Sequence, residues 1–190
     1  MKYAGTLALM LHIGLASVFA QPATVNVNMS FSGNGGPSAV DLKQPNSLAV
    51  EENVAGNGAL GLFTFRDIRA SAASPQPSST CSGLFFPSLA GGGIFRFQYA
   101  SLLKVNLKQG SGSGDCIDFV HMVAHCTLIF EIQGGTGRFQ NASGVLKYSE
   151  TATPVLFDLS GNLVLGAETG EITGTISGTG RAEDSQDLRR

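Results

Sequence analysis

Residues 24–32, TVNVNMSFS, place Val25, Val27, Met29 and Phe31 on one side of an extended chain and Asn26, Asn28 and Ser30 on the other. A period of two residues is that of a β-strand, whose successive side chains point to opposite faces. The alternation returns along the chain. Phe95 and Phe97 alternate with Arg96 and Gln98, with Tyr99 continuing the apolar phase, and Leu103, Val105 and Leu107 alternate with Lys104, Asn106 and Lys108. A bend near Ala100 and Ser101 separates these two strands. Ala124, Cys126, Leu128, Phe130 and Ile132 oppose His125, Thr127, Glu131 and Gln133, and Ile172 and Ile176 oppose Glu171, Thr173, Thr175 and Ser177. Such half-apolar runs predict antiparallel strands with one face on a core and one on water.

Turn-forming residues separate the runs: GNGGPS at 33–38, SAASPQPSST at 71–80, GSGSGD at 110–115 and DLSGN at 158–162. Short strands at this spacing predict an all-β sandwich or closed barrel. Closure into a single barrel is favoured because it removes the strand edges an exported protein must otherwise protect. Only residues 41–54 lean helical, against Pro45 and the asparagines at 46, 53 and 57.

The N-terminus has a different pattern. Lys2 precedes an apolar run to Ala16, and Val18 and Ala20 sit at the −3 and −1 positions of a cut before Gln21. This predicts a cleaved secretory signal over residues 1–20, because the apolar run is short for a membrane span. The expected organisation is therefore a leader (1–20), one β-barrel domain (21–180) and a flexible polar tail, RAEDSQDLRR (181–190). The expected location is secreted or periplasmic, with no membrane span after processing.

Composition narrows the function classes. Charged residues are 14% of the 190, the net charge is −2 and no basic cluster occurs, which excludes a nucleic-acid binder. Three cysteines, Cys81, Cys116 and Cys126, permit one internal disulfide and three pairings. The short loop between Cys116 and Cys126 is the easiest to close, and that bridge is expected, with Cys81 as the alternative partner.

The most chemically varied run is DCIDFVHMVAHC, holding Asp115, Cys116, Asp118, His121, His125 and Cys126. On a strand, His121 and His125 lie about 13 Å apart at roughly 3.3 Å per residue, so four ligands do not converge locally. With no CxxC and no HExxH, no metal is expected, and the run reads as an extended surface loop leading into a strand. The GxSxG elbow is absent. Paired carboxylates are available among Asp118, Glu131, Glu150, Asp158, Glu168 and Glu171, without a pattern that brings two together.

The run GGTGRFQNASG, 134–144, looks at first like a phosphate loop. The segment after it, VLKYSETATP, alternates as a strand does, whereas an anion cradle needs a helix there. Gly134, Gly135, Gly137, Arg138 and Phe139 are therefore expected to form a structural turn. Phe139 would plug the core, and Arg138 would reach solvent or a carboxylate such as Glu131.

Together, GNGALGLFTF (56–65), FRFQYA (95–100), GGTGRFQNASG and GEITGTISG (170–178) resemble a widespread group of small exported bacterial proteins, distantly similar to the allene oxide cyclase and dirigent barrels. The resemblance implies an eight-stranded antiparallel barrel with an apolar lumen. No catalytic residue carries over, because the pocket residues of those cyclases have no matching motif here.

The expected function is a secreted β-barrel that binds a small apolar molecule without a cofactor. The first alternative is a cofactor-free, cyclase- or dirigent-like enzyme steering a reactive intermediate. The second is an envelope or interaction module with no ligand. The absence of a catalytic constellation favours the non-enzymatic readings, and oligomeric state is left open.

Overall fold

The computed structural model describes residues 24–180; the expected leader, 1–20, and the expected tail, 181–190, lie outside them. The strands are β1 (Thr24–Pro37), β2 (Ser47–Gly58), β3 (Phe63–Ala72), β4 (Leu84–Phe97), β5 (Leu102–Leu107), β6 (Gly114–Asp118), β7 (Val123–Gly135), β8 (Ser143–Phe157) and β9 (Leu163–Ser177). Every pairing is antiparallel, and β1 pairs with both β2 and β9, so the sheet closes on itself. The short β5 and β6 follow one another along a single position between β4 and β7. The result is a closed eight-position barrel in which each strand lies beside its chain neighbour.

Among the described residues the only helical turns are two of 3-10 type, Gln98–Ala100 and Gly137–Phe139. The helical leaning of 41–54 is corrected: β2 begins at Ser47, after Lys43 and Asn46 adopt positive φ of 57° and 53°. Pro45 disfavours the α-region for Gln44. Beyond it Val50, Glu52 and Val54 share one phase, and the acid among them hid the strand alternation. Tyr99 also departs from expectation. It lies in the β4–β5 turn with φ 59° and is 66% exposed, out of the apolar phase of Phe95 and Phe97.

The barrel interior has two layers. Toward the end bearing the loops 59–62, 98–101 and 136–142, it is aromatic. Phe65 stacks on Phe95 with ring centroids 4.0 Å apart, Phe31 stacks on Tyr148 at 4.5 Å, and Phe97 meets Phe139 at 4.9 Å. Glycines on neighbouring strands make room for these rings: a Cβ on Gly93 would run into Phe65, and one on Gly170 into Phe31. Leu103, Leu128, Leu146 and Ile172 complete this layer, all fully buried. The lumen here is packed with rings and branched side chains, as small barrels commonly are.

Toward the opposite end, which carries the loops 38–46, 73–83 and 158–162 and the β6–β7 hairpin, the same inward phase turns polar. Glu52, Asp67, Arg69, Ser71, Glu150 and Glu168 are all buried there. This second layer positions the candidate site.

Candidate functional site

Arg69 is the hub. Inward positions of β3 run Phe63, Phe65, Asp67, Arg69, Ser71, so strand geometry alone carries the chain from the aromatic layer into the polar one. The guanidinium Nη1 donates to Glu52 Oε1 and lies 3.5 Å from Asp67 Oδ2. Nη2 donates to Asp115 Oδ1 at 3.0 Å and stands 3.9 Å from Glu150 Oε1. Ser71 Oγ is 3.4 Å from Asp115 Oδ2, and Tyr148 Oη donates to Glu150 Oε2 at 2.9 Å. Glu168 closes the group from β9, in space left by Gly35, where a Cβ would meet its carboxylate. Strand register explains the convergence: Glu52 is paired with Asp67, Asp115 with Cys126, and Cys126 with Glu150.

Four carboxyl groups thus lie within 4 Å of one guanidinium, with the buried Glu168 beside them and Asp115 alone partly exposed, and ionised carboxylates are costly out of water unless paired. Burial first, and then the neighbouring Glu52, push the Asp67 carboxyl well above the usual range. The same two causes, in the same order, raise Glu150 to about 10 and Glu168 to about 8. Glu150 and Glu168 accordingly hold protons at neutral pH. Burial and then Asp115 push the Cys126 thiol up, and burial and then Glu52 raise the Tyr148 hydroxyl. Burial lowers the Arg69 guanidinium, but Asp115 and then Glu52 outweigh it and raise it well above its ordinary value.

Four buried polar atoms of this cluster have no hydrogen-bond partner among the described residues: Glu52 Oε2, Asp67 Oδ1, Arg69 Nε and Glu168 Oε2. Buried polar atoms are normally paired, so each orphan marks a place for a proton, a water, an ion or a ligand group. Beyond the charged layer, the inward register continues through Leu48, Val50, Leu84, Phe86, Ile117 and Ala152. Leu48 and Leu84, at the very rim, are 65% and 46% exposed. An apolar rim open to solvent therefore stands over a polar floor.

The cysteines overturn one expectation. The disulfide joins Cys81 to Cys116, with Cα atoms 5.5 Å apart, and Cys126 is a buried free thiol. On the β6–β7 ladder Cys116 is paired with His125, and Cys126 with Asp115. Cys116 and Cys126 consequently point to opposite faces, and the ease of closing a short loop is irrelevant. The bridge ties the long β3–β4 connection to β6.

The run 115–126 is a β-hairpin with a tight turn at 119–122, in place of the expected extended loop. It delivers Asp115 and Cys126 to the interior and leaves Asp118, His121 and His125 outside. His121 Nδ1 pairs with Asp118 Oδ2 at 2.7 Å, which raises the imidazole and lowers the carboxyl. His125 Nδ1 meets Thr151 Oγ1 at 3.1 Å on the outer face.

Of the other carboxylates considered from sequence, Glu150 and Glu168 converge. Glu131 instead pairs with Lys108 at 3.5 Å on the outer face, Asp158 accepts from Asn162 in the β8–β9 turn, and Glu171 faces outward. Glu52, Asp67, Arg69 and Tyr148 were missed as site residues, and Asp115, named in the run 115–126, was not expected to meet them. Their signal was polar residues standing in the apolar phase of a strand.

At the aromatic end, Gly134 and Gly137 adopt φ of 77° and 57°, where a side chain is strained, and Gly135 ends β7. Phe139 is fully buried beneath this turn. Arg138 does not reach Glu131 or project freely. Its guanidinium lies 4.6 Å from the Phe139 centroid and 5.2 Å from that of Phe97, and it donates to the Leu60 carbonyl. A cleft of about 190 Å³, lined in part by Leu60, Leu62, Tyr99 and Arg138, adjoins it. A larger groove of about 1080 Å³ runs outside the barrel past Arg66, Arg96 and Lys104. Compared with family models, curated proteins and solved structures, the chain finds no match.

Proposed function

We propose that the protein is an exported small-molecule-binding barrel that receives an amphiphile through its hairpin end. The apolar body rests on the rim formed by Leu48, Leu84 and their neighbours, and a donor-rich head such as an amine reaches the carboxyl floor. The observation that carries this reading is the set of orphaned acceptors, above all Asp67 Oδ1 and Glu168 Oε2, buried beneath an apolar rim. A site of this kind uses a few converging polar groups for orientation and apolar surface for affinity. The aromatic layer is the floor's support, and its rings fill the lumen below it. Export rests on the leader pattern of residues 1–20 and on the Cys81–Cys116 bridge, since disulfides persist in oxidising compartments. Kinship to the exported allene oxide cyclase- and dirigent-like barrels is part of the same proposal.

A second reading, a cofactor-free enzyme, is favoured by one observation. Glu150 and Glu168, raised to about 10 and about 8, hold protons near neutrality beside a charged Arg69. Such groups are tuned for proton donation to a bound intermediate. Titration of the purified protein with a fluorescent long-chain amine tests the binding reading. Saturable binding, weakened at least tenfold in Glu168→Gln and in Leu48→Asp, is expected. Equal affinity in all three proteins overturns it.

A further inference from the structure

Cys126, Glu52 and Glu150 come from three different strands, and one ligand atom of each lies within 4.8 Å of the others. We propose that these three side chains form a buried site for a zinc-class divalent metal. The donors are all interior, with Glu52 fully buried, Cys126 2% exposed and Glu150 6% exposed. The independent sign of a missing occupant is Glu52 Oε2. Its partner oxygen accepts from Arg69, while Oε2 is buried with no hydrogen-bond partner among the described residues.

Charge is compatible with this. Glu52, Asp67, Asp115, Glu150 and Glu168 share a single guanidinium, and each carboxyl beyond the first needs a proton or a further cation. A divalent ion at Glu52, Glu150 and Cys126 supplies such a cation in place of protons. Both carboxylate ligands are already oriented by hydrogen bonds to their other oxygen, as the ligands of metal sites commonly are. Arg69 holds Glu52 through Oε1, and Tyr148 holds Glu150 through Oε2. That leaves Glu52 Oε2, Cys126 Sγ and Glu150 Oε1, which stands 3.9 Å from Arg69 Nη2, as the atoms to ligate the ion.

Donor chemistry selects the ion. Calcium and magnesium prefer all-oxygen shells and gain nothing from a thiolate, whereas zinc takes cysteine and carboxylate together in four-coordinate sites. Tetrahedral zinc sets its ligand atoms about 3.3–3.7 Å apart, given bonds of roughly 2.0–2.3 Å. The side chains therefore close in by about 1 Å through small χ changes. On binding, the Cys126 thiol and the protonated Glu150 carboxyl each release a proton to solvent as their metal bonds form. Three protein ligands leave a fourth position open, which is the arrangement of sites that also bind water or substrate.

The metal reading stands without the amphiphile, because it uses Glu52 and Cys126 whereas the ligand head is assigned to Asp67 and Glu168. The test uses the mature, disulfide-intact protein, stripped with a chelator and titrated with Co²⁺ alone. Metal is added both by long incubation and by refolding in its presence. Uptake of one Co²⁺ per chain, with a thiolate-to-cobalt charge-transfer band that one equivalent of Zn²⁺ abolishes, is expected. Cys126→Ser should lose the band, and Glu52→Gln should weaken uptake at least tenfold. Absence of one-to-one uptake by the wild-type protein under both conditions overturns the proposal, as does uptake without the thiolate band. Both readouts come from the wild-type chain, so a variant that fails to fold does not blunt the test.

Discussion

Arg69 and Asp115 are 46 residues apart in the chain, yet Nη2 of one donates to Oδ1 of the other at 3.0 Å inside the barrel. The contact ties β3 to β6 at the hairpin end and puts a single guanidinium within 4 Å of four carboxyl groups. Arg69→Leu removes that charge and leaves its partners buried. A loss of about 3–5 kcal/mol in urea unfolding at pH 7 is expected, the range for breaking a buried pair from one side. Stability unchanged within 1 kcal/mol would contradict the assignment of Arg69 as hub.

Stability should fall as the solution becomes more alkaline. Glu150 and Glu168 have folded-state pKa values of about 10 and about 8, above the ordinary value of 4.5. The native state therefore keeps protons that the unfolded chain has already lost. Their stabilisation is full below pH 4.5 and declines as pH rises, through about 8 for Glu168 and about 10 for Glu150. Each group contributes a slope of up to about 1.4 kcal/mol per pH unit within its window. His121, raised by Asp118, acts with the same sign near its own range. Glu168→Gln isolates the carboxyl: unfolding curves between pH 5 and 8 should be flatter in this variant than in the wild type. Parallel profiles would contradict the raised value.

Non-reducing peptide mapping should recover Cys81 linked to Cys116, with Cys126 alkylated only after unfolding. The bridge closes a loop of 35 residues. Chain-entropy arguments put its removal at about 4 kcal/mol. A Cys116–Cys126 peptide would contradict the observed register of β6 and β7.

Arg138→Ala should cost about 1–3 kcal/mol, because it removes a cation from two aromatic faces and orphans the Leu60 carbonyl. Arg138→Lys should recover only part of that, since an ammonium lacks the planar fork that stacks and donates together. Thermal unfolding of the two variants checks both statements. Full recovery by lysine would reduce the role of Arg138 to its charge.

The strands themselves were legible where the apolar phase was unbroken. Val25 to Phe31 and Phe95 to Phe97 read directly as half-buried extended chain, because each inward residue was apolar. The site was concealed for the same reason. In β3 the phase passes from Phe63 and Phe65 to Asp67 and Arg69, and in β2 it passes from Val54 through Glu52, so burial continues while hydropathy stops. No local pattern brings β2, β3, β6, β7, β8 and β9 together; closure of the sheet does that, through pairings far apart in the chain. The disulfide was misassigned by loop length because facing is decided by ladder register, which places Cys116 opposite His125. Glu150 and Glu168 were visible as acids, but nothing local distinguished them from Glu131 and Glu171 on the outer face.

The central claim is that the polar floor at the hairpin end holds the head of a small amphiphile. Native mass spectrometry of the protein isolated from its own source tests it most directly, with the same preparation denatured as the reference. A discrete organic mass excess over the bare or metal-bound chain is predicted, released on denaturation and absent from Glu168→Gln. A wild-type protein that carries no organic excess when isolated, and gains none when offered long-chain amines, would contradict it.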